Sequence, residues 1–317
     1  MQVSTQNDHM CIAMAADASY AQHAAIAMIS ILQHMKHPEQ VVFYFLADNV
    51  PENILVKVDD SLAQFGAKTY AIPFSEAGKQ SLYTSGHISL AAYARLSIAE
   101  LLPRDVSKVL YVDCDIVAHA DIEELWRMDL HGYPVGAVKD FGIMCSHKSW
   151  TQKKSLMALD DTMAYFNSGV MLIDLNQWRE HHYGKKLLEL AQTTQFPHHD
   201  QDTLNKMFLN DWCPLPMRWN VIPPVWYLFL KVLCHKARRD EAIEARRHIA
   251  ILHYAGGYKP WEYRCYPEFN AEYYRALAQS AFRDVPMPQP NLKRKDRSIR
   301  RQLRRLKLAE FWQRIFS

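Results

Sequence analysis

The chain is 317 residues long, with 49% hydrophobic and 22% charged side chains. That length and balance suit one large α/β domain or two ordinary ones, and they exclude fibrous, collagenous and wholly disordered chains. The formal charge of +3 hides an asymmetry: from Asn291 onward ten Lys and Arg face two acids, leaving 27 basic and 32 acidic side chains in residues 1–290. A mildly acidic body with a basic end points to an anionic partner, such as a membrane surface or nucleic acid.

Cys11–Ala16 reads as a short buried strand, and after Asp17 the apolar spacing through Ala24, Ile26, Ile29 and Ile31 predicts a helix. Val41–Leu46, rich in β-branched and aromatic residues, is a second buried strand. A helix from about Glu52 to Gln64, stopped by Gly66, and a strand over Lys68–Ile72 follow. Strand, helix, strand, helix, strand at this spacing predicts parallel βαβ units with a sheet covered on both faces. The next helix, Leu90–Leu101, stops before Pro103, and Lys108–Val112 is a fourth strand.

Val135–Val138 and Val170–Ile173 are further strands. Between them Gly142, Ser146, Ser149 and Lys153-Lys154 mark a weakly patterned stretch, read as a mobile excursion. Helical patterns return at Leu175–Gln192 and Asp202–Leu209. Residues 211–235 are dense in proline and aromatics, which predicts irregular structure lining a surface or cleft. A last strand, His248–Leu252, precedes His253, and Pro286, Pro288 and Pro290 predict a linker before the basic end. The expected architecture is α/β, a mostly parallel mixed sheet with helices on both faces, over residues 1–285. Residues 286–317 then form a linker and a basic, amphipathic helical tail.

Six scattered cysteines, Cys11, Cys114, Cys145, Cys213, Cys234 and Cys265, read as separate thiols in a reducing cytosol. The polar start has no basic region of the kind a signal peptide carries, and no apolar run nears the ~18–20 residues of a membrane span. The expected location is cytoplasmic.

The first strand–helix turn has no G-x-G-x-x-G and no Walker-type loop. A sheet of this kind must therefore hold phosphates by other means. Asp113-Cys114-Asp115 directly follows the Lys108–Val112 strand. Ligands of an open parallel sheet bind beyond the carboxyl ends of its strands, and paired carboxylates there can hold a hard divalent cation that bridges phosphate oxygens. Three more groups carry chemistry: Phe166-Asn167-Ser168-Gly169 before a strand, His199-Asp200-Gln201-Asp202 opening a helix, and His253 through Trp261 after the late strand. The last combines an imidazole ligand, two glycines that admit close backbone approach, and Lys259, a cation suited to phosphate.

Ala15-Ala16-Asp17 with Tyr20-Ala21, Tyr93-Ala94-Arg95-Leu96, Asp113-Cys114-Asp115, Asn167-Ser168-Gly169, Asp200-Gln201-Asp202 and His253-Tyr254 through Lys259-Pro260-Trp261 occur in one order. The series resembles glycosyltransferase family 8 over roughly residues 10–280. It is most similar to the bacterial retaining α-galactosyl- and α-glucosyltransferases of lipopolysaccharide or lipooligosaccharide synthesis. The resemblance implies a GT-A fold, a UDP-galactose or UDP-glucose donor, and Mn²⁺ (with Mg²⁺ as the alternative) held by Asp113, Asp115 and His253. It implies that Lys259 and the backbone at Gly256 meet the diphosphate, and that Ala15, Asp17 and Tyr20 hold uracil and ribose. Arg95, Asp140, Asn167, Ser168, Asp200 and Gln201 would grip and orient the sugar. Gln201 stands where a nucleophile would be sought, although Asp200 and Asp202 are chemically better ones. Front-face attack, with Gln201 stabilising the cation, is the expected mechanism.

Ser168, where some relatives have Ala, and the Ala255-Gly256-Gly257-Tyr258 loop depart from the family pattern near the sugar and acceptor. His87, in Ser85–Ser89, corresponds to a segment that touches donor or acceptor in relatives. The acceptor implied is a lipid-linked oligosaccharide, reached from the cytoplasmic face of the inner membrane through the basic tail. No nucleic acid is expected. The alternative is a non-catalytic nucleotide-sugar or nucleic-acid-binding protein of the same fold.

Overall fold

The computed structural model describes residues 9–74, 90–160, 162–226, 236–257, 259–262 and 267–286. His87 and the basic end from residue 287 therefore lie outside the described residues, as do Cys234 and Cys265.

β1 (Met10–Asp17) leads into α1 (Ala21–Leu32), β2 (Val41–Asp48) into α2 (Glu52–Leu62), and β3 (Lys68–Pro73) follows. These strands are parallel, as their spacing predicts. Every residue of β2 is buried, because β1 and β3 flank it and apolar layers cover both of its faces. α2 runs into a short 3₁₀ turn that Gly66 ends with φ 68, a conformation that costs glycine little.

The Leu90–Leu101 segment is not one α-helix. It is a 3₁₀-helix over Leu90–Ser97 followed by α3 (Ile98–Leu101). Tyr93 through Ala99 are all buried, a longer consecutive run than one face of an α-helix supplies. β4 (Lys108–Val112), β5 (Ile116–Ala118), α4 (Glu123–Trp126) and β6 (Val135–Lys139) come next.

The expected excursion is helical instead: α5 (Phe141–Met144) and α6 (His147–Met157). Asp140 and Ser146 are their N-caps, accepting hydrogen bonds from the backbone N–H of Ile143 and Ser149. β7 (Phe166–Asp174) starts earlier than its apolar core, so Asn167, Ser168 and Gly169 lie within the strand and not before it. The single helix expected over Leu175–Gln192 is two, α7 (Leu175–Glu180) and α8 (Tyr183–Thr193), broken where His182 turns left-handed at φ 52. α9 (His199–Phe208) opens three residues ahead of the expected Asp202.

The proline-rich stretch holds only β8 (Cys213–Pro214), a 3₁₀ turn over Met217–Trp219 and α10 (Pro223–Trp226) among its described residues. α11 (Lys236–Arg247) reaches the start of the strand expected at His248. β9 (Ile251–His253) is accordingly short, and α12 (Pro267–Gln279) is the last described helix.

The main sheet has the order β3-β2-β1-β4-β7-β6-β8, with β4–β7 and β7–β6 antiparallel and the other pairs parallel. Its order reverses at β1, between β2 and β4, and such a switch point is where ligands enter an open α/β sheet. A second ladder, β5 against β9, stands beyond the end of β4. No helix among the described residues is long and apolar enough to cross a membrane. Cys11, Cys114 and Cys213 are free thiols, but Cys145 is disulfide-bonded, which corrects the expectation of six separate thiols.

Candidate active site

β4 is buried from Val109 to Val112, and the chain leaves the sheet at Asp113, whose N–H donates to the Gly169 carbonyl at 2.8 Å. Three residues later β5 begins, and its ladder sets Ile116 opposite His253. The Tyr254 N–H donates to the Asp115 carbonyl at 2.8 Å, so the end of β9 is tied beside the acidic pair. His253 Nε2 consequently lies 3.1 Å from Asp115 Oδ1 and 3.8 Å from Asp113 Oδ2. One ligand atom from each of the three lies within 4.8 Å of the others.

Gly169 makes that convergence sterically admissible. A Cβ there would stand 2.8 Å from Asp113 Oδ2 and from His253 Nδ1. Two carboxylates and one imidazole form a donor set suited to a divalent cation, with oxygen ligands for a hard ion and nitrogen for a borderline one. The predicted metal residues could therefore hold such an ion together. Lys259 donates to Asp115 Oδ2 and, at 2.8 Å, to the Tyr254 carbonyl. Burial alone would raise the Asp115 carboxyl; Lys259 and His253 outweigh it and hold the group well below the usual carboxylate range.

Arg95, expected on the sugar side, is buried between the acidic pair and α9. Its guanidinium lies 4.6 Å from the Tyr111 ring centroid. Its Nη2 meets Asp113 Oδ1 at 2.7 Å, its Nε meets Asp200 Oδ2 at 3.1 Å, and Nη1 donates to the Ser168 carbonyl at 3.0 Å. The buried cation is a strut between the acidic pair and α9. Burial raises the Asp200 carboxyl, with Arg95 and the Ser168 hydroxyl opposing.

Beyond Gly169 lies a cluster of amides and acids. Gln201 Oε1 accepts from the Ser168 N–H at 3.2 Å and from Asn167 Nδ2 at 3.0 Å, while its Nε2 donates to Asp140 Oδ2 at 3.2 Å. Asn167 Nδ2 also reaches Asp140 Oδ2 at 3.2 Å. Asp140, Asn167, Ser168, Asp200 and Gln201 are thus linked by hydrogen bonds.

Asp202 belongs to a different, more deeply buried group. Both its oxygens accept from Lys153 of α6, and Oδ1 accepts from the Tyr165 hydroxyl at 2.6 Å. Burial would raise the Asp202 carboxyl, but hydrogen bonds at His198, Lys153 and Tyr165 take it down to about 2. Tyr165 in turn accepts from Gln201 Nε2 at 3.1 Å, which links the two groups.

At the end of β1, Asp17 Oδ1 accepts from the backbone N–H groups of Ser19 and Tyr20 at 2.9 and 3.1 Å, turning the chain into α1. The Ala15 carbonyl receives the Cys114 thiol at 3.2 Å, which joins β1 to the acidic triplet. Gly256, with φ 89, lies in the exposed loop after β9, and nothing is within 4 Å of where its Cβ would be. Lys153, Tyr165 and Asn220 were missed as site residues. Lys153 left one trace, since Trp150, Lys153 and Met157 share the spacing of one helix face. Asn220 left none.

The Lys259 loop is held down by an aromatic stack missed from sequence. Trp261 lies over His23 of α1 with centroids 3.6 Å apart and planes at 13°, and His23 Nδ1 meets the Tyr273 hydroxyl at 2.8 Å. Burial lowers the His23 pKa from 6.5 to about 3, with Asp115 opposing and Lys259 adding. Its stabilising contribution is therefore full above the unfolded value and shrinks as pH falls toward the folded one, by about 1.4 kcal/mol per pH unit. Urea unfolding across this range should show that loss, and His23→Gln should flatten the slope. An unchanged slope in the variant would rule out His23 as its source.

The family model described as Glycosyl transferase family 8 matches residues 11–265. General stress protein A of Bacillus subtilis is 29% identical over 293 residues, covering 90% of this chain and 99% of that protein. Lipopolysaccharide 1,2-glucosyltransferase of Escherichia coli is 27% identical over 280 residues, covering 86% of this chain and 79% of its own length. Among solved structures, the galactosyltransferase LgtC in complex with donor and acceptor sugar analogs superposes with a TM-score of 0.72 at 28% identity, covering 88% of this chain and 98% of that one. The sheet order and this likeness make the fold GT-A.

Proposed function

Because the chain belongs to glycosyl transferase family 8, we propose that it is a retaining, metal-dependent hexosyltransferase using UDP-galactose or UDP-glucose. Its acceptor in this reading is a lipid-linked saccharide of lipopolysaccharide or lipooligosaccharide. The convergence of Asp113, Asp115 and His253 beyond β4, with Lys259 beside them and the Asp140–Asn167–Gln201 cluster across Gly169, carries the reading. The two relatives that act on or bind sugars agree with it.

Mn²⁺ held by Asp113, Asp115 and His253 would act as a Lewis acid on the donor diphosphate. Lys259 would neutralise phosphate oxygens, with the backbone at Gly256 alongside. Ala15, Asp17 and Tyr20 would hold uracil and ribose, while Asp140, Asn167 and Ser168 orient the sugar. In transfer the bond from the sugar C1 to the diphosphate oxygen breaks, its electron pair leaving with the phosphate. The acceptor hydroxyl oxygen bonds to C1 on the same face and passes its proton to the departing phosphate oxygen. Front-face attack is favoured because neither nearby carboxylate is disengaged. Asp200 serves Arg95 and Ser168, and Asp202 serves Lys153 and Tyr165. Gln201, oriented by Ser168 and Asp140, would stabilise positive charge on the sugar.

The basic tail would bring the enzyme to the anionic cytoplasmic face of the inner membrane, each Lys or Arg near the surface contributing about 1 kcal/mol. The test is UDP release by the purified chain from UDP-galactose and UDP-glucose, with and without Mn²⁺. Metal-dependent release from one of them is expected. No metal-dependent release from either would leave a nucleotide-sugar-binding protein. A chain ending at Pro286 should keep release and lose sedimentation with anionic vesicles, and retained sedimentation would dismiss the tail as the anchor.

A further inference from the structure

Asn220 is 2% exposed and sits between the metal-binding candidates and the sugar-side cluster. Its backbone place is set by the neighbouring residue: the Val221 N–H donates to the Ile251 carbonyl at 2.9 Å, and the His253 N–H donates to the Val221 carbonyl at 3.1 Å. The 3₁₀ turn Met217–Trp219 ends at Asn220. Its Oδ1 is 2.8 Å from His253 Nδ1, and its Nδ2 donates to Asn167 Oδ1 at 2.8 Å.

Both amide orientations follow from one unambiguous donor. The Gly169 backbone N–H points at Asn167 at 3.0 Å, so the atom it meets must be the carbonyl oxygen Oδ1. The Asn220 atom facing the same oxygen must then be a donor, Nδ2, which leaves Asn220 Oδ1 for His253. The oxygen facing Nδ1 requires a proton on that nitrogen, which leaves Nε2 as the one that would present a lone pair to a cation held with Asp113 and Asp115.

We propose that Asn220 is a positioning residue for the metal site, and that the Gly169–Asn167–Asn220–His253 relay joins metal binding to the sugar cradle. The inference rests on the functional reading above. Asn167 also bonds Asp140 and Gln201, so one connected set of hydrogen bonds runs from the sugar-side amides to Nδ1 of the imidazole whose Nε2 faces the acids. A change in how Asn167 is held is therefore felt at His253.

Two substitutions separate the two ends of the relay. Asn220→Ala removes the acceptor from His253 and the donor from Asn167. Asn220→Asp keeps an acceptor for His253 but turns an oxygen toward Asn167 Oδ1. Mn²⁺ binding in the presence of UDP, followed by the electron paramagnetic resonance of free Mn²⁺, should weaken about 10- to 100-fold in Asn220→Ala. In Asn220→Asp it should stay within about threefold of wild type or tighten, because carboxylates commonly support metal-bound histidines. The same Asn220→Asp variant should raise the donor KM, since its defect falls on Asn167. Wild-type Mn²⁺ affinity in Asn220→Ala would overturn the proposal, and so would equal weakening in both variants, which marks mere packing. Failure of wild type itself to bind Mn²⁺ would overturn the functional reading and the relay with it.

Discussion

Asp115→Asn is expected to lower metal-dependent UDP release on the order of 10³-fold while leaving the fold intact. Asparagine has nearly the same shape, so the backbone bond from Tyr254 to residue 115 and the β5–β9 ladder should survive. What disappears is an anionic oxygen 3.1 Å from His253 Nε2 and the counter-charge that now holds Lys259. A neutral amide is a much poorer ligand for a hard divalent ion, and the unpaired Lys259 ammonium would repel it. Losing a group that stabilises charge developing on a leaving oxygen costs factors of this order. The assay is initial-rate UDP release against Mn²⁺ concentration, with near-ultraviolet circular dichroism as the control for packing. Activity within tenfold of wild type at saturating Mn²⁺ would remove Asp115 from the metal site.

Lys153→Met is expected to be the most damaging substitution for stability. Lys153 and Asp202 have no exposed side-chain surface, and the ammonium supplies both carboxylate oxygens while also meeting His198 Nδ1 at 2.8 Å. Removing the cation strands a buried anion, a loss of about 3–5 kcal/mol. For a chain of this size that lowers the melting temperature by roughly 5–8 °C. Adding Asp202→Asn should restore most of it, because the amide oxygen still accepts from Tyr165 and the buried charge is gone. Differential scanning calorimetry of the single and double variants decides the matter. If the single variant melts within about 2 °C of wild type, the pair is not the tie between α6 and α9 described here.

Much of the site was readable in advance because its residues sit at the ends of strands. Apolar periodicity located β1, β2, β3 and β4 closely, and the chemistry follows them: Asp17 closes β1, Asp113 and Asp115 follow β4, and His253 ends β9. The DxD triplet gained meaning only from that position. The errors share a cause. The excursion expected between two strands is helical because polar caps, which apolar periodicity does not register, start α5 and α6. The break at His182 and the 3₁₀ path of Leu90–Ser97 leave the apolar spacing intact, so nothing local announces them.

The sequence by itself determined the succession of strands and helices, the placing of the acids and His253 beyond strand ends, and thereby the family. Only the tertiary structure decided the partners. Asn167 and Asn220 are 53 residues apart, Asn220 and His253 33, and Lys153 and Asp202 49. Contacts at such separations carry no period along the chain. Folding set Arg95 between Asp113 and Asp200, and brought Lys153 into a site where its side chain has no exposed surface. The physical reason is that local periodicity records which face of an element is covered, whereas hydrogen-bond partnership is settled only when distant segments are packed together.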